Sequence, residues 1–346
     1  MRLNHAYPAL LALLLTATLA GCGREPLPVA DRAIRFSVGH AAITSMETKA
    51  DDVQPSEAGD ALIKENSSVK LYGSVSNSET PLFAGTNLVY KKTGETLAWE
   101  YTPLKYWDQG ATYNFRAVFT NGHDGKIDAT GSNSGQVVVA YTMSDNYDLM
   151  VASKPNVSAN TQVDAGNPEV ALKFLHACAA VRFNFTKATN DNADYTITAF
   201  SLRYVHVDAK LTYNGGDSSA DGAAVALMTN WAPTAASRPE NAYTATTPSW
   251  TVPATAGWFY MVPQKLYDDE TSDTDASLSF SYTIGTDTTP HVVTLNLEKF
   301  KDAPVTWEPG KTYTYNIEIH PETINFTVTC ENWAAGKDDV VIGPIG

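Results

Sequence analysis

The residues able to do chemistry are dispersed along this chain. Six histidines follow the leader region: His40, His123, His176, His206, His291 and His320. None has the partner four residues away that a zinc-binding helix supplies, and no Cys-x-x-Cys occurs. His176 lies two residues from Cys178, a spacing that suits either a metal pair or a histidine satisfied within a core. Gly131-Ser132-Asn133-Ser134-Gly135 has the outline of a nucleophile elbow, but Asn133 stands where the nucleophile must be. Five carboxylates crowd into Asp268–Asp275, without the glycine and closing glutamate of an EF-hand. They read as a solvated hairpin tip, with adventitious calcium as the other option. Carboxylate pairs for glycoside hydrolysis are defined by a three-dimensional separation, and residue order selects none. The chain therefore reads as a non-enzyme, with no catalytic residues, no metal and no cofactor expected.

The most specific local chemistry is at the N-terminus. Arg2 and His5 lead into an apolar run, Ala9–Leu15, which ends in Leu19-Ala20-Gly21-Cys22. A run this short with small residues at its end is a secretory signal rather than a membrane span. Cysteine directly after Leu-Ala-Gly resembles a bacterial lipoprotein signal, cut between Gly21 and Cys22. The Cys22 sulfur would then carry diacyl lipid, and several chains on one residue hold a protein at a membrane lastingly. The other cysteines, Cys178 and Cys330, fall on expected strands far apart in sequence. An exported protein can pair them, and two free thiols are equally compatible with the pattern.

These residues need elements to position them, and 346 residues suffice for about two domains. The net charge of −14 argues against nucleic acid or anionic lipid as an electrostatic partner. Residues 23–33, with Pro26 and Pro28, read as a tether. Ala33–Val38 alternates and reads as a first strand. Residues 44–66 read as a polar loop open to proteolysis. Further strands are expected about every ten residues: Val69–Val75, Thr86–Tyr90, Leu97–Tyr101, Thr112–Phe119, Gln136–Tyr141 and Tyr147–Ala152. Thr93-Gly94, Asn121-Gly122 and Gly166-Asn167-Pro168 supply turns. Short strands at this spacing indicate sandwiches.

The stretch Val170–Phe185 organises the rest. Val170, Leu172 and Phe174 share one parity of an extended chain, whereas Val181, Phe183 and Phe185 share the other. A one-residue shift turns every side chain over, so a bulge, kink or short turn must separate the two sets. The stretch reads as the opening strand of a second domain, entered from the turn at Gly166-Asn167-Pro168. Strands follow at Tyr195–Val207, Lys210–Tyr213, Gly257–Val262, Ser277–Ile284, His291–Leu297, Thr312–Ile319 and Thr323–Cys330. Residues 214–256 read as a long surface excursion.

An internal echo supports two related units. Trp107-Asp108-Gln109-Gly110-Ala111-Thr112-Tyr113-Asn114-Phe115 matches Trp307-Glu308-Pro309-Gly310-Lys311-Thr312-Tyr313-Thr314-Tyr315. The glycine suits a turn with positive φ, and the two aromatics after it, two apart, face one core.

Together these motifs resemble the fimbrillin-like proteins of Bacteroidetes. The resemblance rests on the lipoprotein signal, Thr48-Lys49-Ala50, and Trp107…Gly110…Tyr113-x-Phe115-x-Ala117. It extends through Phe174-x-His176-x-x-Ala179-x-Val181-x-Phe183, Phe259-Tyr260-Met261-Val262-Pro263-Gln264 and Trp307-x-x-Gly310-x-x-Tyr313, and so covers nearly the whole chain. It implies an all-β fold of two tandem transthyretin-like β-sandwich domains. The expected layout is a signal peptide over 1–21, a tether over 22–32, an N-terminal domain over 33–167 and a C-terminal domain over 168–346. It further implies a structural or adhesive subunit of a cell-surface pilus, carried to the outer membrane by lipid on Cys22. There a protease removes the first strand, at Arg35 or Lys49. Another subunit then fills the groove by β-augmentation. Val340-Val341-Ile342 is the candidate donor strand, and its brevity favours a tip, accessory or anchor subunit over a major stalk subunit. The implied partners are other pilus subunits, with host or bacterial surface glycans or proteins as adhesion ligands. A second reading, a surface lipoprotein that binds glycans, would use Trp231, Tyr243 and Trp250 of the long excursion as an aromatic platform. Core packing is the alternative role for those three.

Overall fold

The structure, a computed structural model, describes residues 32–40, 64–76, 78–93, 96–128, 136–213, 216–220, 223–245, 248–267, 274–299, 304–320 and 323–333. It is almost entirely β. The first part of the chain forms β1 (Phe36–His40), β2 (Ser68–Val75), β3 (Phe83–Thr93), β4 (Thr96–Glu100), β5 (Thr112–Phe119), β6 (Ile127–Asp128), β7 (Val137–Thr142), β8 (Met150–Ser158) and β9 (Val170–His176). There follow β10 (Ala179–Lys187), β11 (Tyr195–Arg203), β12 (Asp208–Tyr213), β13 (Trp231–Pro233), β14 (Tyr243–Thr244), β15 (Trp250–Thr251) and β16 (Ala254–Met261). The last are β17 (Gln264–Lys265), β18 (Ser277–Ile284), β19 (Asp287–Asn296), β20 (Thr306–Trp307), β21 (Lys311–Ile319) and β22 (Ile324–Asn332).

The first unit is a seven-stranded sheet in the order β1-β9-β8-β5-β2-β3-β4. It folds over until its two edges approach each other. Ala33 forms an isolated antiparallel bridge with Tyr106, just beyond β4. One core lies inside the fold and includes Phe36, Leu71, Phe83, Tyr113, Phe115, Leu172 and Phe174. Alternation along β5 explains its place: Tyr113, Phe115, Ala117 and Phe119 face this core, while Val118 faces outward to another.

The second unit is a sandwich of the sheet β16-β10-β21-β22 and the sheet β14-β11-β18-β19, with β15 also on β11. Its core holds Phe183, Phe185, Phe200, Phe259, Phe280, Trp307 and Tyr315. The two tandem β-sandwich units expected from the strand spacing are therefore present. Their join was not legible. β7 of the first half pairs with β12 of the second, and β6 and β13 complete a four-stranded sheet drawn from both halves. A third core, containing Tyr72, Val151, Leu175, Leu211, Trp258, Tyr260 and Trp333, lies between the units.

Val170–Phe185 does not open the second unit as one strand. Its first part, β9, belongs to the first sheet, where Val170, Leu172 and Phe174 pack beside Phe36. The parity change falls at Ala177-Cys178, where the chain crosses to the other sheet. Small side chains let the backbone pass through this buried crossing, where buried polar groups need partners. Ala177 N–H donates to the Leu149 carbonyl at 2.7 Å, and Gly310 N–H donates to the Cys178 carbonyl at 2.9 Å. The Gly166-Asn167 turn, with both residues at positive φ, leads only from the helix Ala159–Asp164 into β9.

The 214–256 excursion is also not a surface loop throughout. Trp231, Ala245 and Val252 are buried, because the segment returns to pair with β11 and β12.

Candidate functional site: the first-strand seam

The segment Arg32–His40 enters the first unit from outside its contiguous sequence and closes it. Its register splits in two, unlike the single strand expected over Ala33–Val38. Upstream, Ile34 N–H donates to the Lys105 carbonyl at 2.8 Å, and Trp107 N–H donates to the Arg32 carbonyl at 3.0 Å. Downstream, Phe36 to His40 lie in parallel register with Val170 to Phe174. Arg35 is the joint between these pairings, with its side chain exposed.

Apolar side chains fill the groove. Ile34 is fully buried, and the Phe36 ring meets three others edge-on. Its centroid is 5.1 Å from Phe115, 5.9 Å from Phe83 and 5.9 Å from Tyr101. Each such pair adds about 0.5–1.5 kcal/mol to the gain from burial. Val38 packs half-buried at the end of the same row.

Polar groups at the bottom of the groove bind the segment's backbone. Tyr101 hydroxyl donates to the Ile34 carbonyl at 2.8 Å. Burial pushes this phenol above its ordinary range, which keeps the donor proton in place. Asn167 Nδ2 donates to the Ala33 carbonyl at 2.9 Å, while its Oδ1 accepts from Trp107 Nε1 at 2.7 Å. Asn167 thus links the first segment to the Trp107 corner. In the sequence Asn167 is marked only as a turn residue, and nothing in its spacing from Ala33 or Trp107 signals the contact.

The other predicted site residues fall differently. Gly21, Cys22, Lys49, Val340, Val341 and Ile342 lie outside the described residues. So does most of the Asp268–Asp275 run. Trp231 is buried in the core between the units, and its indole N–H donates to the Ala177 carbonyl at 3.0 Å. Tyr243 and Trp250 pack on Phe200 in the core of the second unit. Trp231 therefore sits in a different core from Tyr243 and Trp250, and the three form no common platform. Hydrogen bonding of the indole and aromatic packing hold them inward.

Cys178 and Cys330 are free thiols, the first buried and the second exposed. Burial pushes the Cys178 thiol well up, out of the range of a reactive thiolate. His176 Nδ1 lies 2.7 Å from Asp148 Oδ2, and its ring stacks on Trp333 at 3.9 Å. Among the described residues no group of three or more histidine, cysteine or acidic side chains is placed to hold a metal ion. No described helix is long and apolar enough to cross a membrane.

Comparison with known proteins gives this geometry a context. Solved structures share the fold at low identity. A fimbrial protein from Bacteroides vulgatus superposes with a TM-score of 0.55 at 15% identity, covering 88% of this chain and 100% of its own. A protein from Bacteroides uniformis, provisionally assigned to cell adhesion, gives 0.53 at 14% identity, covering 88% of this chain and 99% of its own. No curated protein sequence matches. The sequence profile described as fimbrillin-like matches residues 48–333, from just after the first strand to the last residue of the described structure. On that match, the chain belongs to the fimbrillin-like family.

Proposed function

We propose that this protein is a structural and adhesive subunit of a cell-surface pilus, assembled by exchange of its first strand. The observation that carries this reading is the position of Arg32–His40. The segment contributes Ile34 and Phe36 to the first core, yet it lies at an outer edge of the sheet, held by β9 along Phe36–His40 and by the seam at Ala33. Its removal leaves unpaired backbone groups beside an apolar groove, which an incoming strand satisfies together. Membership of the fimbrillin-like family supports the same reading.

The finer features belong to this proposal. Lipid on Cys22, after cleavage between Gly21 and Cys22, carries the precursor to the outer membrane. A cut after Arg35 separates the seam from β1 but leaves Phe36–His40 on the sheet. A cut after Lys49 releases the strand whole, so Lys49 suits strand removal better. The Arg35 backbone is also engaged, since its carbonyl accepts from Val170 N–H at 2.8 Å. Val340-Val341-Ile342 serves as the donor for the next subunit. A tip, accessory or anchor subunit is the role we favour for this chain within the pilus. The partners are other pilus subunits.

The test uses the chain without residues 1–22, treated separately with Arg-specific and Lys-specific proteases. N-terminal sequencing and gel filtration follow. Support is a cut at Lys49, then detergent-resistant oligomers that disappear when Val340–Gly346 is deleted. A chain that resists both enzymes and stays monomeric overturns the proposal.

A further inference from the structure

β9 is joined to its two neighbours over different lengths. Its ladder with β8 covers only Leu175, His176 and Phe174, opposite Val151, Met150 and Ala152. Its ladder with β1 runs from Val170 to Phe174. Among the described residues, Val170 to Lys173 therefore have β1 as their only ladder partner. When the first strand leaves, this half of β9 becomes both the vacated edge and a strand without a neighbour.

One side chain spans the gap where β8 and β9 separate. Ser218, only 1% exposed, belongs to the loop that follows β12. Its hydroxyl donates to the Lys173 carbonyl at 2.5 Å and accepts from Ser153 N–H at 3.1 Å. Its own N–H donates to the Ser153 carbonyl at 3.0 Å. Ser153 and Lys173 are the next two residues along β8 and β9 after the ladder ends at Ala152 and Phe174. A serine from the second half of the chain thus replaces the missing rung. Lys154 and Asp217 form an ion pair that seats the same loop.

We infer that Ser218 is a positioning residue for strand exchange, a latch that keeps the β9 edge in place while the groove changes occupant. The inference rests on the strand-exchange reading above and adds a control point to it. A buried serine hydroxyl tied to two backbones resists loss, because each freed group stays away from water. Parallel pairing along Val170–Phe174 requires an extended β9. The latch fixes that conformation at Lys173, opposite Gly39 of the departing strand. Through it the loop after β12, at the join of the two halves, governs how readily the first unit releases and captures a strand.

The experiment uses the full folded chain with a specific protease site inserted after Asp52. After cutting, the first-strand fragment stays bound through its own contacts. Excess fluorescent peptide of sequence Arg32–His40 then competes for the groove, and fragment release is timed. Ser218→Ala should speed release about 3- to 10-fold, the factor that one buried hydrogen bond supplies. Ser218→Thr, which keeps a hydroxyl, should restore most of the native rate. Asp217→Asn should change it less than about 2-fold, as expected for a partly exposed pair. Hydrogen exchange on the uncut chain gives a second readout. Ser218→Ala should accelerate exchange at Val170–Phe174 and leave the β10–β21 ladder unchanged. Equal release rates in native and Ser218→Ala chains, or equal exchange at Val170–Phe174, overturn the latch. Failure of the native fragment to exchange at all overturns the strand-exchange reading instead, and the uncut chain still tests the latch.

Discussion

The Trp107 and Trp307 corners begin alike and end differently. In each, a tyrosine hydroxyl accepts the backbone N–H of the acidic residue five positions earlier. Asp108 N–H donates to Tyr113 and Glu308 N–H donates to Tyr313, both at 2.8 Å. Each turns on a glycine at positive φ, Gly110 at 84° and Gly310 at 68°. The difference is in the indole. Trp307 Nε1 donates to the Tyr315 hydroxyl at 3.0 Å, within the same corner. The corresponding position in the first unit is Phe115, which has no hydroxyl, and Trp107 turns to Asn167 and through it to Ala33. The Trp307 indole finds its partner within its own corner. The Trp107 indole is joined through Asn167 to the segment Arg32–His40, and that segment is the one proposed to be exchanged.

This difference can be attacked at several strengths. The largest effect should come from Phe36→Ala, at about 3–5 kcal/mol, because a fully buried ring leaves a cavity among three others. Urea unfolding should show the first unit melting early while the Trp307 environment persists. A single transition shifted as a whole would mean that the units unfold together. Asn167→Ala should follow, at about 2–3 kcal/mol, since it strips the Trp107 indole and the Ala33 carbonyl of a buried partner. Its positive φ adds to the cost for alanine. Tyr315→Phe converts the second corner to the residue type of the first and should cost less, about 1–2 kcal/mol. If Tyr315→Phe proves as costly as Asn167→Ala, the proposed asymmetry is wrong.

The smallest effect at neutral pH concerns what the corners share. Tyr113→Phe and Tyr313→Phe should each cost about 1 kcal/mol, within error of each other. Burial raises both phenols above their ordinary value. A raised folded-state pKa contributes stability that is present below the unfolded value, near 10, and is lost as pH climbs through the folded one. Alkaline denaturation should therefore begin later in the phenylalanine variants than in the native chain. Equal onset would show that these tyrosines do not drive it.

Much of this was legible in the residues. The corners are local, with glycine, tyrosine and tryptophan at fixed spacing, and their repetition announced two related units. Strands such as Ser277–Ile284 could be read from alternation alone. Contacts without a local pattern were not legible. Nothing in Val137–Thr142 says that it pairs with Asp208–Tyr213, since both are ordinary alternating strands. Ser218 and Asn167 stand in turn-rich sequence where serine and asparagine have many uses. Trp231 was readable as exposed or buried, and the partner that decides the matter, the Ala177 carbonyl, lies 54 residues away.

The last described residue, Trp333, lies between the units, stacked on His176 of the first and facing Tyr260 of the second at 5.5 Å. If the chain is assembled into a fibre as proposed above, a pull applied beyond this point would not simply peel β22 from its edge one rung at a time. The load would meet a wedge gripped from both sides and be shared by two sandwiches. Mechanical strength would then depend on the junction more than on the outermost strand.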